Sequence, residues 1–234
     1  MVAGAILSLA GVVRCLGQEW HTPEVSATLF DIKDRGRAIY TFESEYDGNR
    51  RRSWFYDLDG VVVAEDEAEV DREGLFRRYA YTRQTIEERA EAVRDGDEVV
   101  FRQHWKGEVH ERREPWSDFF AAGPTVVPWM RGRWDALLAG KTLEIRFGVL
   151  DQVRSFGFKL KRDHDRSWNF RTVIVMRASS FLLRIFIDPI EFHFDTASGR
   201  LLAIEGRSLP VRQEGDKLSP VNAVIDFTRP AIPR

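Results

Sequence analysis

The sequence predicts a mainly β protein, a curved antiparallel sheet of half-barrel or open-barrel form wrapped on one α-helix. Three observations carry this. From Val25 onward apolar and polar residues alternate with period two, as in strands with one face in a core and one in water. Turn residues punctuate the alternation at Asp47-Gly48-Asn49, Asp59-Gly60, Arg94-Asp95-Gly96-Asp97 and Thr196 to Gly199. One segment, Val126 to Ala139, has helical spacing instead.

The elements follow in chain order. Ala38, Tyr40 and Phe42 form the inward set of a first strand, and Trp54, Tyr56 and Leu58 continue it on the return strand of a hairpin. Leu75 to Ile86 is another strand. Glu87 to Val93 has a helix-like composition, but it runs into the Arg94 to Asp97 turn, so ladder pairing is expected. Its partner is one strand from Val99 to Glu111, with Phe101, Trp105 and Val109 on one side and Arg102, His104, Lys106, Glu108 and His110 on the other. Proline, glycine and small residues break the rhythm from Pro115 to Pro128. Pro128 suits a first helical turn, Trp129, Met130, Trp134, Leu137 and Leu138 make the apolar side, and Gly140 is the stop. Strands resume at Thr142 to Val149, Val153 to Lys161 and Ser167 to Arg177, the last apolar on both faces and so central. Ser179 to Ile187 fits a short Ser-capped helix or a strand, and Pro189 ends it. Ile190 to Phe194 and Leu201 to Ile204 form a hairpin, and Asn222 to Thr228 is the final strand.

At 234 residues, 43% hydrophobic and 12% aromatic, the chain can bury a substantial core in one all-β domain. Residues 18–234 are read as that single domain. A net charge of −2 supplies no field for nucleic acid, and no segment has the length and apolarity of a transmembrane helix. Residues 1–17 are read as a signal peptide: an apolar run from Val2 to Val13, then Cys15-Leu16-Gly17 with small residues where signal peptidase inspects. The alternative is a buried element of a cytosolic domain. Arg14 directly before Cys15 argues against a lipid anchor. Cys15 is the one cysteine, so the processed chain holds no disulfide, cysteine zinc site or cysteine nucleophile. Export points to the periplasm.

The stretch FIDPIEFHFDTASGRLLAIEG (186–206), preceded by VPWMRGRWDALLAGKTLEIRF (127–147), resembles a family of exported bacterial proteins of unknown function, β-rich and periplasmic, over the C-terminal half. The resemblance implies an envelope location and a curved sheet similar to open half-barrels that carry lipids or lipoproteins. It brings no catalytic residue.

No phosphate loop, serine nucleophile elbow or HExxH helix is present, and no cofactor is expected. Asp57-Leu58-Asp59-Gly60 lacks the later ligands of a calcium loop, with Ala68 at the bidentate position, and reads as a turn. Asp163-His164-Asp165 reads as a charged hairpin tip. Glu191, His193 and Asp195 share one strand face and read as its polar side. His104 and His110, six residues apart on one strand, stand too far apart to share a metal. The aromatic residues remain. Tyr40, Phe42, Trp54, Tyr56, Phe158, Trp168, Phe170 and Phe192 are the candidate ligand-binding residues, facing the concave side of the sheet. The expected function is non-enzymatic binding of an apolar, lipid-like molecule or a partner segment. The alternatives are a metal-assisted hydrolase built on His164 or His193 with nearby carboxylates, and a structural or assembly factor with an envelope protein partner.

Overall fold

A computed structural model describes residues 25–215 and 217–229. Residues 1–17, read as a leader, lie outside the described residues. The first eight strands are β1 (Val25–Asp31), β2 (Asp34–Asp47), β3 (Arg50–Tyr56), β4 (Val62–Val70), β5 (Phe76–Arg83), β6 (Glu88–Asp95), β7 (Glu98–Trp105) and β8 (Glu108–Pro115). The short strand β9 (Phe120–Ala122) leads through a 3₁₀ turn into helices α1 (Val126–Arg131) and α2 (Trp134–Leu138). Then follow β10 (Leu143–Val149), β11 (Arg154–Trp168), β12 (Arg171–Ala178), helix α3 (Phe181–Phe186), β13 (Ile190–Asp195), β14 (Leu201–Glu214) and β15 (Lys217–Asp226).

Among the described residues all the strands join one 15-stranded sheet that is not closed, in the order β8-β7-β6-β5-β4-β3-β2-β1-β15-β14-β13-β12-β11-β10-β9. Two meanders therefore meet back to back where β1 pairs antiparallel with β15. Every ladder is antiparallel except β9 with β10. The expected curved sheet around a helical plug is what the chain forms.

Two strands expected to be continuous are hairpins. Val99 to Glu111 folds back at Lys106-Gly107, whose φ values of 51° and 76° are the positive pair that suits a tight hairpin turn. Ser167 to Arg177 turns at Asn169-Phe170, so that Trp168 pairs with Arg171. Apolar character on both sides of a turn mimicked a single buried strand. The ambiguous Ser179 to Ile187 is helical, as α3.

The helical plug spans the expected residues but breaks at Gly132-Arg133. Trp129, Met130 and Leu137 are almost wholly buried, and Trp134 meets Phe194 edge-on at 5.1 Å. The indole of Trp129 donates to the Asp118 carbonyl at 2.9 Å, which satisfies its one polar atom. Gly140, at φ 77°, ends the second helix as expected, its amide bonded to the Leu137 carbonyl. These helices pack on β10 to β14 in the main apolar core.

The two sheet edges are consecutive in the chain, and the curvature brings them together. β8 reads EVHERREP and carries the charges that discourage edge pairing. Its Glu114 accepts from the Ser155 hydroxyl and amide on β11 and from Arg146 Nη2 on β10 at 3.2 Å. Burial works against the charge of Glu114, yet the Ser155 donors and Arg146 hold its carboxyl below the usual range. The seam is thus fastened by side chains where no ladder closes it. Replacing Glu114 by Ala is expected to lower unfolding stability by about 1–3 kcal/mol, because it leaves the buried Ser155 amide and hydroxyl without their acceptor. A urea midpoint unchanged from wild type would contradict that role.

Candidate functional site

Strict alternation sends every second residue of β2 to β7 inward, and many of these are polar. One transverse row runs Ser44, Ser53, Asp66, Tyr81, Ala90, Gln103, each paired with the next across the ladder. All six are buried. A neighbouring row runs Phe42, Phe55, Ala64, Arg83, Glu88. The acidic run of β4 divides by parity: Glu65, Glu67 and Glu69 face out, whereas Ala64, Asp66 and Ala68 face in.

Arg83 and Glu88 form a buried pair, Nη1 to Oε2 at 2.7 Å. The other Glu88 oxygen accepts from Gln103 at 2.7 Å and from the Tyr81 hydroxyl at 3.0 Å. Arg83 Nε reaches the Leu209 carbonyl at 2.9 Å, and the guanidinium lies 4.7 Å from the Tyr81 ring centre. Leu209 belongs to a bulge in β14, where the register jumps between Arg207 and Val211. Ser208 steadies the bulge by donating to the Val221 carbonyl at 2.9 Å. Burial drives the hydroxyls of Tyr79 and Tyr81 upward in pKa, so both remain neutral donors.

Between this polar wall and the apolar wall of the C-terminal strands lies a cavity of about 300 Å³. Phe147, Phe158, Met176 and Phe192 line one side, with Phe42 and Phe55 at the junction and Val126 and Val127 of α1 at one wall. Arg51, Asp66, Tyr79, Tyr81 and Arg83 line the other, and Asp151 and Arg207, joined at 2.8 Å, also border it. Asp66 is buried, and burial pushes its carboxyl up against the pull of Arg51 and Ser53. Its Oδ1 makes no hydrogen bond among the described residues. Helix α3 leads into Ile187, Asp188 and Ile190 on the cavity lining, while Phe181, Leu182 and Ile185 stay exposed.

Of the aromatic candidates, Phe42, Phe158 and Phe192 line this cavity. Tyr40 faces inward but packs in the adjoining core cluster. Trp54 and Tyr56 are on the outer face, a correction with a simple cause. The β2–β3 turn has two residues, Gly48-Asn49, so Phe55 pairs with Phe42 and its neighbours point away. Tyr56 donates to Glu43 at 3.1 Å, and Trp54 borders an outer groove of about 460 Å³. Arginines and glutamates of that groove pair with one another, Arg78 with Glu67 at 2.9 Å and with Glu91 at 3.3 Å. Trp168 and Phe170 sit at the β11–β12 turn, 47% and 68% exposed, and do not face the interior.

Comparison with protein-family models, with curated proteins and with solved structures finds no match.

The histidines also need correction. The β7–β8 hairpin sets His104 opposite Val109 and His110 opposite Gln103, so the two imidazoles lie on neighbouring strands but on opposite faces. Asp163-His164-Asp165 is not a hairpin tip but a bulged part of β11, where Asp163 accepts from the Asp165 and Arg166 amides. His164 packs against Gly140. Glu191 and His193 share a face as expected, but they are covered rather than solvated, and Asp195 caps the following turn through Ser198.

Glu191, His193 and Glu205 bring possible ligand atoms within 4.8 Å of one another. Arg171 Nη2 lies 2.7 Å from His193 Nδ1, and a guanidinium can only donate. Nδ1 is therefore the acceptor, and Nε2 carries the proton, facing Glu205 at 3.2 Å. Arg35 forks onto Glu205 at 2.7 and 3.1 Å, and Arg166 holds Glu191 at 2.7 Å. With its imidazole lone pair and both carboxylates engaged by arginines, this donor set does not fit a metal ion. It fits an ion-pair clamp joining the β1–β2 hairpin to β12, β13 and β14.

The His193 N–H first, and Arg35 with it, overcome burial and hold the Glu205 carboxyl at about 2, below its ordinary 4.5. The ionised form is the one the fold favours. Its contribution is complete above about pH 4.5 and is lost as the pH falls towards 2. In acid titrations followed by circular dichroism, Glu205→Gln is expected to start less stable and to lose less stability across that window. A wild-type slope in the variant would contradict this.

Proposed function

We propose that the protein binds an apolar or amphipathic small molecule inside its curved sheet and does not transform it chemically. The observation that carries the reading is the interior cavity, aromatic and aliphatic on one side and polar on the other, set against a helical plug that leaves it unfilled. A concave space of about 300 Å³ beside buried phenylalanines, open on one side and carrying a few placed polar groups, has the make-up of a small-molecule site. The polar groups there are held in fixed ion pairs and hydrogen bonds, which suits orientation of a ligand rather than proton transfer to it. An exported, periplasmic setting, read from residues 1–17 and from the resemblance of the C-terminal half, is part of the same proposal and suits a carrier of lipid-like molecules.

Native mass spectrometry of gently purified protein is expected to show a bound apolar species, and the stripped protein should bind an environment-sensitive apolar fluorophore. Val127 lines the cavity from α1. Val127→Phe should weaken fluorophore binding by about tenfold, since the ring takes space the ligand needs and crowding the liganded site costs about 1–3 kcal/mol. Binding that is absent in wild type, or indifferent to this substitution, would overturn the proposal.

A further inference from the structure

Three guanidiniums line the cavity, and they differ in what they hold. Arg83 is committed to Glu88 and the Leu209 carbonyl, and Arg207 to Asp151. Arg51 donates only its Nε, to Ser53 at 2.8 Å, while its plane lies 5.5 Å from the Phe42 ring centre. Its terminal amines make no hydrogen bond among the described residues; Nη2 faces Asp66 Oδ1 at 3.6 Å in a loose ion pair, beyond hydrogen-bond reach. The Arg51 side chain is only 12% exposed. A nearly buried guanidinium with free donors beside an aromatic wall is a ready partner for a planar anion, which it can grip with two parallel hydrogen bonds.

We propose that the ligand of this cavity is a single-chain amphiphile whose carboxylate head group binds Arg51, its hydrocarbon lying against Phe42, Phe55 and the aliphatic wall beyond. This inference rests on the cavity-binding reading above and names the class of molecule. The volume of about 300 Å³ is at the small end for ligand sites and suits one chain rather than several. Asp66 stands 3.6 Å from the same guanidinium, and burial pushes its carboxyl up, which weakens its hold on Arg51 against an incoming anion.

The test uses decanoic acid, decanol and decylamine, titrated into the stripped protein at neutral pH and followed by calorimetry, with wild type and Arg51→Gln. Wild type should bind decanoate about tenfold or more tighter than decanol, the margin of a charge-assisted hydrogen-bonded pair. In Arg51→Gln that margin should vanish while decanol binding changes by less than about threefold. Equal binding of decanoate and decanol by wild type, or tightest binding of decylamine, would overturn the head-group assignment and leave cavity binding standing. Failure of all three to bind would overturn both.

Discussion

The buried contact of Arg83 organises the interior. One guanidinium joins Glu88 on the neighbouring strand, the face of Tyr81 and the carbonyl of Leu209, which is 126 residues away in the chain. Removing a carboxylate and a guanidinium from water is costly, and the cost is offset here only because each oxygen of Glu88 is hydrogen-bonded, to Arg83 on one side and to Tyr81 and Gln103 on the other. What the contact achieves is spatial. It draws the bulge of β14 across to β5, so that the C-terminal meander arches over the inner face of the N-terminal one.

That arch explains why the interior is two-sided. The C-terminal strands and the plug supply the continuous apolar core around Trp129, Met130 and Phe194. The N-terminal strands bring Asp66, Arg83, Glu88 and Gln103 to the same interior, and these groups must be satisfied where they stand. The two surfaces pack together where Phe76 and Phe101 meet Phe120 and where Phe42 and Phe55 share a cluster with Val221 and Ile225, and the cavity lies between these contacts. At the far side of the sheet the Glu114 seam performs the complementary task, holding β8 near β10 and β11 so that the curved form is kept without a closing ladder.

Much of the architecture was legible from alternation and turn chemistry. The hairpin from Ile190 to Ile204, the helical plug ending at Gly140 and the curved antiparallel sheet all follow from local patterns with few competitors. What alternation could not reveal was parity across a turn. Trp54-Phe55-Tyr56 is aromatic throughout, so its face depends on whether the preceding turn has two residues or three, and the two-residue turn sends Phe55 inward. The polar side of the site was hidden for another reason. Arg83, Glu88 and Asp66 fall in step with Tyr81, Ala90 and Ala68, which is the one sequence signal that they face inward, but charged residues on a strand are ordinarily read as solvated. Their burial depends on partners such as Leu209 that no local window contains. His193 is similar, since the arginines that cover it come from β2, β11 and β12.

The most direct test is hydrogen exchange measured residue by residue in wild type and in Arg83→Met. If Arg83 holds the arch, protection should fall selectively at residues 206–212 of β14 and 219–222 of β15, while β1 to β3 retain theirs. Unchanged protection across the bulge, with Arg83 gone, would show that the arch stands without it and that the cavity wall has another origin.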